Sequence, residues 1–279
     1  MIVETAPAKI NLALHVRRRR PDGYHEIETL FAFATDGDTV KIARSDADAF
    51  AVTGPFADAL RPKPGQGSEA NLVTRAADAF AATFGVKDRH AIVLDKHLPI
   101  ASGIGGGSAD AAATLRALAR LHDIDPADPR LVQIAASLGA DIPACLAGRI
   151  ALGTGRGDTL IPLDGLAGTP LLLVNPGVAV STAAVFAGWD GIDRGPIPEG
   201  DLLARALGGR NDLEPPALRI APEIAAVLAR LTAAGGVRLV RMSGSGATCL
   251  ALFDTVTARA DAARHAVEAG HWHLETTIA

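Results

Sequence analysis

The chain has 279 residues, of which 48% are apolar and 21% charged, and its formal net charge at pH 7 is −4. This composition is typical of a globular protein with one large domain or two ordinary ones, and it excludes a disordered chain. The small negative charge gives no basic field for nucleic acid, and no apolar run approaches the roughly 20 residues that span a bilayer.

The N-terminus lacks the basic and apolar regions of a secretory signal, and Cys145 and Cys249 form no CxxC pair. We therefore expect a cytoplasmic protein without disulfides that binds neither nucleic acid nor a membrane.

Apolar periodicity and turn residues predict alternating strands and helices in the first half of the chain. In chain order, the prediction is one or two strands over 2–20, strands over 24–34 and 39–43, a long surface loop over 53–70, a helix from Asn71 to Gly85, a strand over 91–98, a helix capped by Ser108 or its neighbour and running to about His122, a helix ending at Gly139, and then a turn and a strand-like return over 140–158.

The second half shows the same mixture. The predicted order is a buried strand within 169–182, loop-rich sequence over 188–216, a helix over 222–236, a strand, glycine turn and strand over 237–253, a helix over 255–270 and a final strand over 271–279. Strands and helices that mix in both halves predict an α+β fold. We place the division between two domains, 1–155 and 156–279, where the composition shifts.

The glycine loop, residues 103–107, holds Gly103, Gly105, Gly106 and Gly107 between a predicted strand and an alanine-rich helix. Glycines let backbone amides converge on phosphate oxygens, and a helix start adds unpaired donors and partial positive charge. No lysine follows the glycines as in a P-loop, and Ser108 stands where a dinucleotide fingerprint has its third glycine. A tight turn is the alternative, but it requires fewer glycines, so the loop favours a nucleotide phosphate site.

PIASGIGGGSADAA, from Pro99 onwards, resembles the central motif of the GHMP kinases, P-x-x-x-G-[LI]-G-[SG]-[SG]-[SA]. APAKINL at 6–12 and MSGSGATCLALF at 242–253 resemble the family's N-terminal and C-terminal motifs, in the expected order. The resemblance covers essentially the whole chain. It implies a two-domain α+β kinase fold with the active site in the interdomain cleft.

Four further stretches resemble one branch of that family: RPDGYHEIETL at 20–30, LGADIPACLAG at 138–148, NPGVAVST at 175–182 and NDLEPP at 211–216. That branch uses ATP to phosphorylate the 2-hydroxyl of a cytidine-diphosphate-linked methylerythritol, in non-mevalonate isoprenoid precursor biosynthesis. The implied partner is thus a small-molecule substrate, and we expect a monomer or weak homodimer.

The resemblance also implies which residues lie at the ATP. They are Asn71, Lys96, Pro99, Gly103, Gly105, Gly106, Gly107 and Ser108. Mg²⁺ would accompany the ATP and be held mainly by the nucleotide, because the sequence offers no dedicated set of metal ligands. Asn71 is equally an ordinary helix N-cap. Asp110 is electrostatically awkward beside phosphates unless its carboxylate points away or helps with Mg²⁺.

Lys9 and Asp141 are the implied catalytic residues. From the residues alone, Asp141 is as plausible an N-cap before Pro143 as a base in a non-helical turn, and Lys9 is an ordinary edge-strand lysine. The motif matches favour catalysis. Asp141 would accept or orient the hydroxyl proton, and Lys9 would keep that carboxylate ionised and polarise the hydroxyl.

For the substrate, the resemblance implies that Tyr24 and His25 recognise cytosine and that Phe186 covers the other face of the base. Asn11, Thr182 and Asp141 would bind the polar groups of the substrate. Strand packing is the alternative for Tyr24, the only tyrosine, and a core position is the alternative for Phe186.

Two other features are ambiguous in the sequence. The arginine run Arg17–Arg20 is either a solvated hairpin flank or a patch that steers an anionic substrate. The pair His271 and His273 lacks a third ligand, which disfavours a metal site.

Overall fold

The computed structural model describes residues 1–60 and 71–279. These residues form two compact units that are discontinuous in sequence. The first unit comprises the described residues of Met1–Ala8, Asp36–Ile100 and Gly105–Gly148, and the second comprises Lys9–Thr35, Ala101–Ile104 and Arg149–Ala279. Helices and strands mix in both units, as the α+β prediction expects. The sequence division at 155/156 stays a prediction.

The strands of the described residues are β1 (Ile2–Arg19), β2 (His25–Ser45), β3 (Ala49–Thr53), β4 (Arg89–Asp95), β5 (Ala151–Thr154), β6 (Thr159–Pro162), β7 (Pro170–Asn175), β8 (Val237–Met242), β9 (Cys249–Phe253) and β10 (Trp272–Thr277). The helices are α1 (Leu72–Phe84), α2 (Gly106–Leu121), α3 (Pro129–Leu138), α4 (Ile142–Ala147), α5 (Thr182–Ala187), α6 (Leu202–Gly208), α7 (Glu214–Ile220), α8 (Glu223–Thr232) and α9 (Val256–Glu268).

In the first unit, β4 pairs in parallel with β3 and antiparallel with the Thr39–Ser45 part of β2. Helix α2 packs against α1, α3 and α4. Its buried positions are mostly alanines, so neighbouring helices can approach closely. Cys145 of α4 is buried and free, as is Cys249 of β9 in the second unit.

The second unit contains a four-stranded antiparallel sheet in the order β10-β7-β9-β8. Strand β9 is buried along its whole length, and Leu173 of β7 lies between Leu274 and Leu250 in register. Helices α8 and α9 pack on this sheet. Strand β5 pairs with Thr29–Phe31 of β2 and with β6.

The structure corrects the prediction of separate strands over 24–34 and 39–43, because residues 25–45 form one strand, β2. Gly37 makes this possible, because a Cβ there would lie 2.0 Å from the Ala6 carbonyl oxygen. The strand therefore passes straight through a sequence that locally favours a turn. The predicted loop over 53–70 begins after β3 with a short 3₁₀ helix at Ala57–Leu60, and its residues 61–70 lie outside the described part of the chain.

Two further corrections concern helices. Gly105, in the left-handed conformation with φ 62°, is the N-cap of α2, so Ser108 lies inside the first turn instead of capping it. The sequence over 188–216 contains helix α6 and the start of α7, where we expected loop. Asp201 begins α6 by accepting a 2.8 Å hydrogen bond from the Ala204 amide. The predictions for α1 and α3 are confirmed, with Asn71 and Asp128 as side-chain caps.

Within the described residues, no helix combines the length and apolar character needed to cross a membrane.

Candidate active site

The start of α2 has the backbone geometry of an anion site. The left-handed Gly105 turns the chain into the helix, and the Ala109 amide is the first to bond back, donating to the Gly105 carbonyl at 2.8 Å. The preceding amides of the first turn have no acceptor within the helix. Because Gly106 and Gly107 are glycines, they have no side chains that could cover these amides. The first turn is described in full and contains no acidic residue. The partial positive charge there suits a phosphate group.

Lys96 lies directly behind this turn, in a buried ion cluster with Asp38 and Asp110. Its Nζ donates to Asp38 Oδ2 and to Asp110 Oδ2, each at 2.6 Å. All three side chains are at most 3% exposed. The side chain of Lys96 is thus bonded to the two carboxylates. Its predicted place near the nucleotide stays a prediction.

The electrostatics of the buried ion cluster are uneven. Burial raises the pKa of Asp110 to about 7, although the attraction of Lys96 opposes this shift. Burial also opposes the charge on Lys96, but the two carboxylates outweigh it and raise the pKa of the ammonium. From the sequence, the Asp110 carboxylate was expected to be unfavourable beside nucleotide phosphates unless it pointed away or helped with Mg²⁺. The structure shows that the Asp110 carboxylate contacts Lys96.

Asn71 caps α1 by accepting a 2.8 Å hydrogen bond from the Val73 amide, which confirms the alternative that we weighed for it. A cap and a nucleotide contact are compatible, because the amide nitrogen of Asn71 is not used in this bond. Pro99 follows β4 in the same unit.

Asp141 occupies the N-cap position of α4, with φ −83° and ψ −15°. As predicted, it lies in a turn outside the helix, and Pro143 allows α4 to begin immediately after it. Its side chain makes no capping hydrogen bond to the described part of α4. The residue is half-buried.

In the second unit, the three family motifs meet around Ser243. The Asn11 amide donates to Ser243 Oγ at 3.2 Å, and that hydroxyl donates to the Gly103 carbonyl at 2.9 Å. The Lys9 amide donates to the Ile104 carbonyl at 3.0 Å. Gly103 requires a glycine, because its φ is 78° and a Cβ would lie 2.4 Å from the Ser243 carbonyl oxygen.

Lys9 is 4% exposed, and its ammonium is held in place by Asn11. Lys9 Nζ donates to Asn11 Oδ1 at 3.2 Å, while Asn11 Nδ2 donates to Thr29 Oγ1 at 2.7 Å. The Phe31 ring lies under the ammonium, with its centroid 5.2 Å from Nζ. Asn11 therefore orients Lys9, and its predicted contact with substrate stays a prediction.

Thr182 lies at the first position of α5, and its Oγ1 is 2.9 Å from Ser245 Oγ. Because Ser243 and Ser245 belong to the same turn, that turn connects Thr182 to the environment of Lys9 and Asn11. Asn211 fixes the turn from the other side by donating to the carbonyls of Met242 and Gly244 at 2.7 and 2.8 Å.

An aromatic cluster surrounds His25 in the second unit. Its ring centroid lies 5.0 Å from that of Phe186 and 5.8 Å from that of Trp189. Burial lowers the pKa of His25, and the nearby charge of Arg19 adds to this. The imidazole is therefore neutral at physiological pH. Its Nε2 and the Trp189 Nε1 are buried polar atoms that have no hydrogen-bond partner among the described residues.

Tyr24 does not join the core, since 53% of its surface is exposed. The alternative of strand packing is therefore excluded. The guanidinium of Arg156 lies over its ring, 5.1 Å from the centroid. This leaves an aromatic side chain accessible next to His25.

The four members of the arginine run differ in the groups that they contact. Arg17 pairs with Glu28 at 2.7 Å and lies 2.9 Å from Asp193 Oδ1. Arg19 Nη2 donates to the carbonyls of Ala187 and Trp189. The other two members bond to acidic side chains of their own hairpin: Arg18 to Glu26, and Arg20 to Asp22. Arg18 and Arg19 are exposed, in agreement with the solvated-flank alternative, whereas the half-buried Arg17 does not fit it.

Three residues of these clusters escaped the sequence prediction: Asn211, Ser243 and Trp189. Asn211 and Ser243 lie in motifs that we noted for the family resemblance, so a signal was present, although nothing local indicates their partners. Trp189 gave no signal, because a tryptophan after a short helix is usually an ordinary core residue.

Comparison with known proteins agrees with these motifs. The sequence patterns of the GHMP kinases N terminal domain and the GHMP kinases C terminal domain match residues 71–149 and 198–271. The chain is 57% identical to the 4-diphosphocytidyl-2-C-methyl-D-erythritol kinase of Rhizorhabdus wittichii, over 95% of this chain and 89% of that protein. It is 50% identical to the protein of the same name from Novosphingobium aromaticivorans, over 97% and 90%.

Solved structures support the same assignment. A crystal structure of 4-(cytidine 5'-diphospho)-2C-methyl-D-erythritol kinase matches with a TM-score of 0.83 and 36% identity, over 99% of both chains. Homoserine kinase from Cytophaga hutchinsonii matches with a TM-score of 0.71 over 99% of this chain and 94% of that one, and at 19% identity it shows only the shared fold. The chain therefore belongs to the GHMP kinases and, within them, to the 4-diphosphocytidyl-2-C-methyl-D-erythritol kinase family.

Proposed function

We propose that this chain catalyses the ATP-dependent phosphorylation of the 2-hydroxyl of 4-diphosphocytidyl-2-C-methyl-D-erythritol, a step of non-mevalonate isoprenoid precursor biosynthesis. The observation that carries this proposal is the sequence identity of 57% and 50% to two kinases of that name, over 95% and 97% of this chain. The environments of Lys9, His25 and the α2 start support it, because each suits one of the tasks that the reaction sets.

In the reaction, the substrate hydroxyl oxygen attacks the γ-phosphorus, and the bond from that phosphorus to the bridging oxygen of ADP breaks. Asp141 takes the hydroxyl proton, and Lys9 offsets the negative charge that develops on the attacking oxygen. The fixed position of the Lys9 ammonium on Asn11 supports this role, because a charge that is already oriented needs no rearrangement in the transition state.

The backbone amides at the start of α2 would hold phosphate oxygens of ATP, with Gly103, Gly105, Gly106, Gly107 and Ser108 forming the loop around them. Asn71, Lys96 and Pro99 would lie nearer the nucleoside. Mg²⁺ would reduce the charge of the phosphates. The described residues contain no group of three or more histidine, cysteine, aspartate or glutamate side chains placed to hold a metal, so phosphate oxygens would be its main ligands.

Cytosine would stack on Tyr24 and Phe186, and His25 would read its edge. A neutral imidazole suits this task, because one ring nitrogen donates a hydrogen bond and the other accepts one. The unsatisfied Nε2 supports the assignment, since a buried polar atom without a partner is costly unless a ligand completes it. Thr182 and Asn11 would bind other polar groups of the substrate. We include a cytoplasmic location and a monomer or weak homodimer in this proposal.

The test is a coupled assay of ADP formation with the cytidine-linked substrate, with homoserine and with no acceptor. We expect turnover with the first alone; equal turnover with homoserine would favour a different member of the superfamily. The matched variants are Asp141→Asn and Asp46→Asn, since Asp46 is an exposed aspartate of the same unit. Asp141→Asn should bind ATP normally and lose about 10²- to 10⁴-fold in turnover. Near-normal turnover would remove Asp141 from the mechanism.

A further inference from the structure

The buried ion cluster of Asp38, Lys96 and Asp110 carries an excess of negative charge when both carboxylates are ionised. One ammonium then faces two carboxylates, and each lies 2.6 Å from it. The parts of α1, α3 and α4 that are buried in this unit are apolar, so among the described residues they add no compensating charge: Val73, Ala76 and Phe80, then Leu131, Ile134 and Ala135, then Ile142, Pro143, Ala144 and Cys145.

This cluster lies against the first turn of α2. A Cβ on Gly106 would be 3.1 Å from Lys96 Nζ and 3.8 Å from Asp38 Oδ2. Asp110 follows on the same helix about one turn later. A net charge in the cluster therefore acts over a short distance on any anion at the amides of that turn.

The two carboxylates are not equivalent. Asp38 Oδ1 accepts hydrogen bonds from the amides of His97 and Leu98 at 2.6 and 2.8 Å, which favours its ionised form. Asp110 Oδ1 is buried and has no hydrogen-bond partner within residues 1–60 and 71–279. Asp38 and Lys96 thus balance each other, and Asp110 supplies the uncompensated charge.

We propose that Asp110 lowers the affinity of the glycine loop for nucleotide phosphates, because its carboxylate makes the buried ion cluster net negative beside the amides that would hold them. This rests on the proposed function of the loop as the ATP site. Asp110 is then a positioning residue that tunes affinity through Lys96, and its effect opposes binding. If Asp110 had a purely structural role, its removal would loosen Lys96 and weaken nucleotide binding instead of strengthening it.

The test is the dissociation constant of ADP, measured by titration calorimetry at about pH 8.5, where a carboxyl with a pKa of about 7 is ionised. Asp110→Asn keeps the shape and removes the charge, and Asp110→Ala removes the charge without adding a donor. We expect each to bind ADP about tenfold more tightly than the wild type. Asp78→Asn removes an exposed charge from α1 and should leave the constant unchanged.

Unchanged or weaker ADP binding in the two Asp110 variants, with melting temperatures near that of the wild type, would overturn this inference alone. If one variant fails to fold, the other decides. A wild-type chain that binds neither ADP nor ATP would instead overturn the proposed nucleotide site.

Discussion

The imidazole of His25 and the ring of Phe186 contact each other directly, with centroids 5.0 Å apart and planes inclined by 37°. The two residues are separated by most of the chain, at the start of β2 and near the end of α5. His25 is therefore oriented by a segment that must itself be held in place. Arg19 holds it, because Nη2 of this arginine donates to the Ala187 carbonyl at 3.0 Å and the Trp189 carbonyl at 3.1 Å.

Replacing Arg19 should therefore impair recognition of the cytidine-linked substrate. In Arg19→Met we expect its KM to rise about three- to tenfold, because hydrogen bonds from a charged donor are lost, while the KM for ATP stays unchanged. Arg18→Met is the matched control, since the Arg18 side chain is 73% exposed and bonds to Glu26. The measurement is steady-state kinetics of both substrates for the three proteins.

The alternative role of the arginine run, steering of an anionic substrate, gives a different pattern. Steering depends on charge and not on the two carbonyl contacts, so both variants would raise KM equally and the effect would disappear at high salt. That result would contradict the holding role of Arg19.

The sequence predicted several features that depend on local chemistry, although it missed the Gly105 cap of α2 and the Asp201 cap of α6. Asn71 caps α1 and Gly85 ends it in the left-handed conformation, as their residue types indicate. The continuous strand β2 could not be predicted, because it depends on the close approach of Gly37 to Ala6. The burial of Asp110 against Lys96 also depends on tertiary packing, so the local sequence does not indicate it. The motifs indicated which residues serve the site, but not that Asn11 orients Lys9.

The stability of the first unit should fall in mild acid because of His90 and His122. Their Nε2 atoms lie 2.8 Å apart, so one ring must accept the hydrogen bond and be neutral. Burial lowers the pKa of both groups, with further contributions from the His122 charge at His90 and the Arg44 charge at His122. The unfolded chain thus binds more protons than the folded one. This contribution is complete above the unfolded pKa of about 6.5 and is lost as the pH falls towards the folded values.

The measurement is the urea midpoint at about pH 7.5 and about pH 5. His90→Gln should show a smaller loss between these two values than the wild type. His15, His25 and His271 have pKa values shifted in the same direction, so part of the loss will remain. His265→Gln, at an exposed position of α9, is the control and should behave as the wild type. An unaltered acid loss in His90→Gln would show that the pair does not titrate as its geometry indicates.

Gly106 and Gly107 are adjacent in the first turn of α2, yet alanine should have opposite effects at the two positions. In the described part of the chain, a Cβ on Gly107 meets only Leu72 Cδ1, at an ordinary contact distance of 3.5 Å. Gly107→Ala should therefore raise the free energy of unfolding by up to about 1 kcal/mol, because alanine loses less backbone entropy than glycine in a helix. A Cβ on Gly106 lies 3.1 Å from Lys96 Nζ, which two carboxylates hold in place.

Since Lys96 cannot retreat without lengthening a buried ion pair, Gly106→Ala should lower the free energy of unfolding by about 1 kcal/mol or more despite the same gain in helix propensity. Urea unfolding without nucleotide, near neutral pH, measures both variants without interference from ligand binding. Equal stabilisation by the two alanines would mean that Lys96 shifts freely and that the buried ion cluster is not rigidly packed against the glycine loop. A destabilised Gly106→Ala beside a stabilised Gly107→Ala would establish that the cluster fixes the position of the first turn, because helix propensity is the same at both residues.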